Sequence, residues 1–163
     1  MLERDNIRLV GIAKILQSLE GCACPMEVLS REFLKKLRLN VDEVVIVDME
    51  AGVEHFGRGV ETSMDNVLVV VEPSLDSLQL AEKVNSLASG IGINDVRAVL
   101  NKVTSDGMAA KLREELSKRN MDVIGCIHYD PEIFDACLEG RPLHGCKAAQ
   151  EVAEILDTVI GKM

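Results

Sequence analysis

Residues 67–74 read Val-Leu-Val-Val-Val-Glu-Pro-Ser, five apolar residues followed by an acid, a proline and a serine. The run is short, β-branched and apolar on both faces, which is typical of a strand buried between two helical layers. Similar runs occupy residues 44–47, 96–100 and 123–127, and a weaker one spans residues 7–12. These runs predict the strands of one sheet.

Amphipathic stretches lie between the apolar runs and predict helices, because their apolar residues recur three or four positions apart. The predicted stripes are Met26, Leu29, Phe33 and Leu37; Leu80, Ala81, Val84, Leu87 and Ala88; Met108, Leu112 and Leu116; and Val152, Ala153, Leu156 and Val159. Alternating strands and helices predict an α/β fold with a mostly parallel sheet and flanking helices. The sequence has no repeat or linker, so we predict one domain over residues 1–163.

Composition and charge exclude several classes of function. The chain has 163 residues, of which 27 are acidic and 18 basic, and its net charge of −9 would repel nucleic acid and anionic lipid. One Tyr, three Phe and no Trp leave little aromatic surface for stacking on bases. No apolar run approaches the roughly 20 residues that span a bilayer. Five cysteines without an export signal favour a reducing compartment, so we expect a cytoplasmic protein that binds neither nucleic acid nor membrane.

Polar residues collect where the predicted strands end, and ligands of open parallel sheets bind at these carboxyl ends. The segments are 48–59, 72–74, 101–102 and 128–131. Asp48 follows an apolar strand pattern, which is where phosphoryl-transfer enzymes place an acid near Mg²⁺, and Gly52 lies four residues further on. A turn or helix cap explains Asp48 equally well, and the same alternative stays open for Asn101.

The segment 48–59 (Asp-Met-Glu-Ala-Gly-Val-Glu-His-Phe-Gly-Arg-Gly) resembles the switch region of the CooC-type accessory ATPases. These proteins belong to the MinD-like branch of P-loop proteins and help load nickel into carbon monoxide dehydrogenase. The resemblance continues in order through residues 69–74, 101–103, 129–133 and 138–143. It implies a partial P-loop NTPase fold that corresponds to the C-terminal part of a MinD-like ATPase.

The resemblance also implies roles for individual residues toward ATP and Mg²⁺. Asp48 would be the Mg²⁺-associated acid, and Gly52 would face the γ-phosphate. Asn101 and Lys102 would belong to the nucleotide site, with the Asn101 amide hydrogen-bonding the adenine ring. His128 stands where the family usually has proline, and no role is assigned to it.

Cys22 and Cys24 form a Cys-x-Cys-Pro motif just before a predicted helix. Two thiolates supply only half of a four-ligand site, and two copies meeting across a two-fold axis would complete it. The alternative is two small residues packed in a turn. The CooC-type proteins have the same motif before the same helix, where the pair is taken to bind metal at the dimer interface. That resemblance implies a nickel or zinc site and a homodimer.

The sequence lacks the string Gly-x-x-x-x-Gly-Lys-Ser/Thr that cradles phosphates in P-loop proteins, and its only Gly-Lys pair is Gly161-Lys162. In the resembled fold the P-loop strand lies inside the sheet, beside the Asp48 strand. Its removal would expose apolar edges that invite pairing with another chain. A truncated product, half of a split protein and a remnant with a metal or docking role all remain open.

Two functions therefore compete. The first is an accessory protein that delivers nickel to carbon monoxide dehydrogenase, with ATPase activity impaired or supplied by a missing N-terminal part or an intact relative. The second is a nucleotide-free interaction or docking module, a remnant of a MinD-like ATPase. In either case we expect the chain alone not to hydrolyse ATP.

Overall fold

The computed structural model describes residues 2–12, 24–49, 52–56, 59–143 and 145–161, without the side chains of residues 24–27 and 61. Its elements are β1 (Leu2–Arg4), β2 (Ile7–Leu9), α1 (Cys24–Lys36), β3 (Val67–Val71), α2 (Leu75–Gly90), β4 (Val96–Val103), α3 (Asp106–Ser117), β5 (Asp122–His128), α4 (Pro131–Glu139) and α5 (Lys147–Ile160). They divide into two compact units, Met1–Met64 and Asp65–Met163. The single domain over the whole chain stays a prediction.

The first unit begins with a hairpin of β1 and β2, in which Leu2 pairs with Leu9. Asp5 and Asn6 form its turn with φ of 52° and 62°, the left-handed conformation that a two-residue hairpin turn requires. Asp and Asn tolerate this conformation better than most side chains do. The weak strand predicted at residues 7–12 therefore exists only over Ile7–Leu9, and it is antiparallel.

The prediction of a strand at residues 44–47 is wrong, because the structure places these residues in a segment without secondary structure. All four side chains are exposed, and Ile46 is 81% exposed. A strand exists through hydrogen bonds to a neighbouring strand, and none of the strands in the described residues pairs with this segment. Apolar, β-branched composition cannot by itself supply that neighbour.

The second unit contains a three-stranded parallel sheet in the order β3-β4-β5, which confirms the predicted α/β class. Val67 pairs with Val96 and Val71 with Leu100, so β3 lies in unbroken register beside β4. Each of the runs predicted at residues 67–71, 96–100 and 123–127 is a strand, and β4 and β5 extend beyond them. Val71 and Leu100 are fully buried at the centre of the core.

Short polar residues set the helix starts of this unit. Ser74 Oγ accepts a hydrogen bond from the Ser77 amide at 3.1 Å, and Ser105 Oγ accepts one from Met108 at 3.3 Å. Asp130 caps α4 in the same way, with Pro131 at the first helical position. α4 ends at Gly140 in the left-handed conformation. The chain thus leaves each strand end through a polar, hydrogen-bonded turn.

Helix α5 spans the predicted residues but does not bury the predicted stripe. Its buried residues are Ala148 and Ile155, whereas Val152 and Leu156 of the predicted stripe are exposed. The reason is local to β5, where Gly125 leaves a gap that Ile155 fills. Helical periodicity identifies a helix, but the gap on the sheet decides which of its apolar residues enter it.

No helix within the described ranges is both long and apolar enough to cross a membrane.

Candidate functional site

The carboxyl ends of β3, β4 and β5 bring three polar segments to one edge of the second unit. Glu72 follows β3, Asn101 and Lys102 lie near the end of β4, and His128 ends β5. Because the strands are parallel, these ends meet at the same edge of the sheet, where open α/β sheets bind ligands. The structure therefore brings Asn101 and Lys102, two predicted site residues, to the expected place.

A β-bulge presents Asn101 and Lys102 at this edge. Leu100 pairs with Cys126 and Val103 with His128, so β4 has one residue more than β5 between the two pairs. The bulge puts Lys102 in the left-handed region with φ of 56°. Lysine has no special tolerance for this conformation, which costs about 1 kcal/mol. Such bulges re-aim side chains next to functional sites.

An ion pair holds the strained lysine in place. Lys102 Nζ lies 2.6 Å from Glu72 Oε1, across the ends of β4 and β3. Beyond the bulge the ladder closes again, because the Tyr129 amide donates to the Val103 carbonyl at 2.8 Å. Glu72 was not among the predicted site residues, although its position directly after a buried strand was a usable signal.

Replacing Lys102 tests the strain of the bulge. Both Lys102→Gly and Lys102→Ala remove the ion pair with Glu72, but only glycine is at ease with a positive φ. We expect the glycine variant to be more stable than the alanine variant by about 1 kcal/mol. Urea unfolding of the two variants measures this difference directly. Equal stabilities would mean that Lys102 does not carry backbone strain in solution.

His128 is fixed to helix α5 by a two-point contact with Glu151. The Glu151 carboxylate accepts a hydrogen bond from the His128 amide at 2.8 Å, and its other oxygen lies 2.7 Å from His128 Nδ1. Lys147 Nζ lies 3.5 Å from the same carboxylate. Burial by itself would raise the pKa of Glu151, but the hydrogen bonds from His128 and the charge of Lys147 outweigh it and leave this pKa below its ordinary value. Glu151 is therefore a carboxylate at neutral pH.

A surface pocket of about 230 Å³ opens beside this contact. It is lined by His128, Tyr129, Asp130, Pro131, Lys147, Ala148 and Glu151. Its walls combine an aromatic ring, a cation and carboxylates. The ring can stack on a small planar polar molecule, and the charged groups can hydrogen-bond to it. Sequence reasoning assigned no role to His128 and missed Glu151, because the two are 23 positions apart.

The remaining predicted site residues are less fully described. Asp48 is exposed at the end of the unpaired segment of the first unit, and Gly52 lies in a loop of the same unit. Cys24 is the first residue of α1, but its side chain and all of Cys22 lie outside the described residues. Their roles stay predictions.

The other cysteines do not form a metal site in the described part of the chain. No group of three or more His, Cys, Asp and Glu side chains that could hold a metal ion occurs there. Cys126 lies in β5, and burial raises the pKa of its thiol, so that it stays protonated at neutral pH. Cys146 is buried at the start of α5, and Cys137 is exposed on α4.

Several known proteins are similar to this chain in sequence. Over 98% of its length it is 42% identical to an uncharacterised ATP-binding protein of Methanocaldococcus jannaschii, and it is 38% identical to a second such protein of that organism over 95% of its length. It is also 30% identical, over 97% of its length, to the carbon monoxide dehydrogenase accessory protein CooC of Rhodospirillum rubrum. No protein-family model matches. The chain spans only about three fifths of these relatives, namely 60%, 61% and 62% of their lengths.

Solved structures support the fold. The MinD cell division protein of Aquifex aeolicus matches 66% of this chain and 49% of its own chain, with a TM-score of 0.55 and 19% identity. At this identity the likeness concerns the fold alone. The chain thus has homologues among uncharacterised ATP-binding proteins, is also homologous to the accessory protein CooC, and shares the α/β fold of MinD.

Proposed function

We propose that this chain acts in an accessory protein that delivers nickel to carbon monoxide dehydrogenase. The observation that carries the proposal is the similarity to CooC over nearly the whole chain, together with the similarity to ATP-binding proteins. Nickel is the cargo in this proposal, and carbon monoxide dehydrogenase is the protein that receives it.

The nucleotide role falls to the carboxyl edge of the sheet in the second unit. Asn101 would hydrogen-bond the adenine ring, since its amide both donates and accepts. Lys102 would offer a positive charge once it leaves Glu72, which lies 2.6 Å away. Asp48 and Gly52 would serve Mg²⁺ and the γ-phosphate. The sequence has no phosphate-binding loop, so in this proposal ATP hydrolysis requires residues from another polypeptide segment.

The metal role falls to Cys22 and Cys24. Two thiolates from each of two chains would give the four ligands that nickel in a square plane or zinc in a tetrahedron accepts. Because the two cysteines are two positions apart, one two-fold axis can bring both pairs together. The functional unit would then be a homodimer with the metal on its axis.

Metal content measured against oligomeric state tests this function. We expect the reduced protein to bind about one Ni²⁺ or Zn²⁺ per two chains and to dimerise only with metal. Sedimentation velocity combined with elemental analysis measures both quantities. A monomer that binds no metal at a saturating metal concentration would reject the metal role. Calorimetric titration with ATP and Mg²⁺ would then test the nucleotide role separately.

A second candidate is a nucleotide-free docking module, and the missing phosphate-binding loop favours it. Saturable ATP binding by the purified chain would exclude this alternative.

A further inference from the structure

Helix α4 carries an apolar face that points away from the core of the second unit. Ala136 is fully buried, and Ile133 is half-buried on the same side of the helix. Phe134 and Leu138 lie two positions before and two positions after Ala136, which places them on the opposite side of the helix. They are 59% and 77% exposed. Because these two residues are four positions apart, they are neighbours on the helix surface and not isolated apolar residues.

Helix α3 has the charged outer face that is usual for a helix exposed to water. Leu116 of this helix is fully buried, and the positions two before and two after it are Glu114 and the capping residue Lys118. These two side chains form an ion pair, in which Lys118 Nζ lies 2.8 Å from Glu114 Oε1. The equivalent positions of α4 hold a phenylalanine and a leucine. This difference indicates that another molecule covers the outer face of α4.

Acidic side chains border this apolar face. Helix α4 contains Glu132, Asp135 and Glu139 and no basic residue. Arg141, just beyond the helix, lies 2.6 Å from the Glu139 carboxylate and 3.9 Å from that of Glu132. Asp135, three positions before Leu138, has no ion pair within the part of the chain that the structure describes. A negative charge therefore stands unpaired at the border of the apolar face.

The charge of this border decides among the possible occupants. A second copy of the chain would bring the same acids to the face, and the net charge of −9 disfavours anionic lipid and nucleic acid. We propose that the α4 face, formed by Phe134 and Leu138 and bordered by Asp135, binds a basic amphipathic helix of a partner protein. Apolar side chains one turn apart on that helix cover Phe134 and Leu138, and a lysine or arginine beside them pairs with Asp135.

The α4 face lies beside the pocket at the carboxyl edge of the sheet. Tyr129, Asp130 and Pro131 line that pocket, and Asp130 is also the N-cap of α4. The helix has 9 residues and is about 13 Å long, so two to three turns of a partner helix match its length. A partner on this face would thus stand next to the candidate ligand site. Its binding needs neither metal nor nucleotide and does not rest on the function proposed above.

The test uses the purified full chain and two synthetic amphipathic peptides, each of about 14 residues. Both peptides carry leucines on one helical face. The first carries lysines on the other face, and the second carries glutamates there. We expect the basic peptide to bind with an affinity that falls as salt is added, and the acidic peptide to bind at least about tenfold more weakly. Fluorescence anisotropy of the labelled peptides measures both affinities.

Substitutions in α4 test where the basic peptide binds. Leu138→Ser should weaken its binding about tenfold or more, and Asp135→Asn should weaken it about threefold and reduce its salt dependence. The matched controls are Leu75→Ser, at an exposed leucine of α2, and Glu154→Gln, at an exposed acid of α5. Both controls should leave the affinity unchanged. Circular dichroism checks that each variant is folded.

Three results would overturn the proposal. The first is that the basic peptide does not bind to the folded chain. The second is binding that Leu138→Ser leaves unchanged, or that Leu75→Ser weakens as much. The third is self-association of the chain that Leu138→Ser abolishes, which would assign the α4 face to a second copy. Peptide binding by a chain that takes up neither metal nor ATP would uphold the α4 face and reject the proposed function, so the two failures are distinguishable.

Discussion

Replacing Gly125 by valine is expected to lower the free energy of unfolding by about 3 kcal/mol. The added Cβ would overlap Cγ1 and Cδ1 of Ile155, which is itself a buried residue of α5. Either Ile155 leaves its gap or the whole helix moves away from β5. Because α5 also carries Glu151, the contact with His128 should weaken at the same time. Urea unfolding measures the loss, and the His128 ring resonances report the displaced contact.

A double-mutant cycle that combines Gly125→Val with a change at Ile155 tests whether the destabilisation comes from this overlap. Ile155→Ala removes the two overlapping carbons, so Gly125→Val combined with Ile155→Ala should be less destabilised than the sum of the single variants by about 2 kcal/mol. Gly107→Ala is the control, because a Cβ at Gly107 meets nothing within 4 Å. Strict additivity in the cycle would show that α5 does not pack on Gly125 in solution.

Replacing Cys22 and Cys24 by serine is expected to abolish metal binding and metal-linked dimerisation together. Serine keeps nearly the size of cysteine but is a poor ligand for Ni²⁺ and Zn²⁺ compared with a thiolate. The metal content should fall from about one ion per two chains to background, and the protein should sediment as a monomer with metal added. Elemental analysis and sedimentation velocity on the same samples measure both changes.

Cys137→Ser provides the matched control for this experiment, since Cys137 is an exposed thiol of α4. It should leave metal content and oligomeric state unchanged. If metal binding persists when Cys22 and Cys24 are replaced but disappears in Cys137→Ser, the metal site lies on α4. Retention in both variants would exclude a thiolate site at either position.

The two outcomes bear on different parts of the molecule. The Gly125 cycle concerns how the second unit holds its carboxyl edge, where Asn101, Lys102 and His128 lie. The cysteine variants concern the first unit alone. If the Gly125 cycle gives the expected coupling but the cysteine variants do not behave as expected, the fold and the candidate edge are supported and the metal role is rejected.

Local pattern was sufficient to predict most elements of the second unit. Residues 67–71, 96–100 and 123–127 were predicted as strands from their apolar, β-branched runs, and 147–160 as a helix from its 3.6-residue period. Such signals lie in neighbouring residues, because helix period and strand composition are local properties. The same reasoning located Asn101 and Lys102 at a strand end, since parallel strands with helical crossovers all end at one edge.

The sequence by itself thus determined the α/β class and most elements of the second unit, and it located Asn101 and Lys102 near the carboxyl end of a strand. Only the tertiary structure decided that residues 44–47 lack a strand neighbour and that Ile155 of α5, rather than Leu156, enters the gap at Gly125. It also decided that Glu151 reaches His128 and that β4 bulges at Lys102. The physical reason is that strand pairing, helix orientation and long-range hydrogen bonds depend on residues distant in the chain, which no local period encodes.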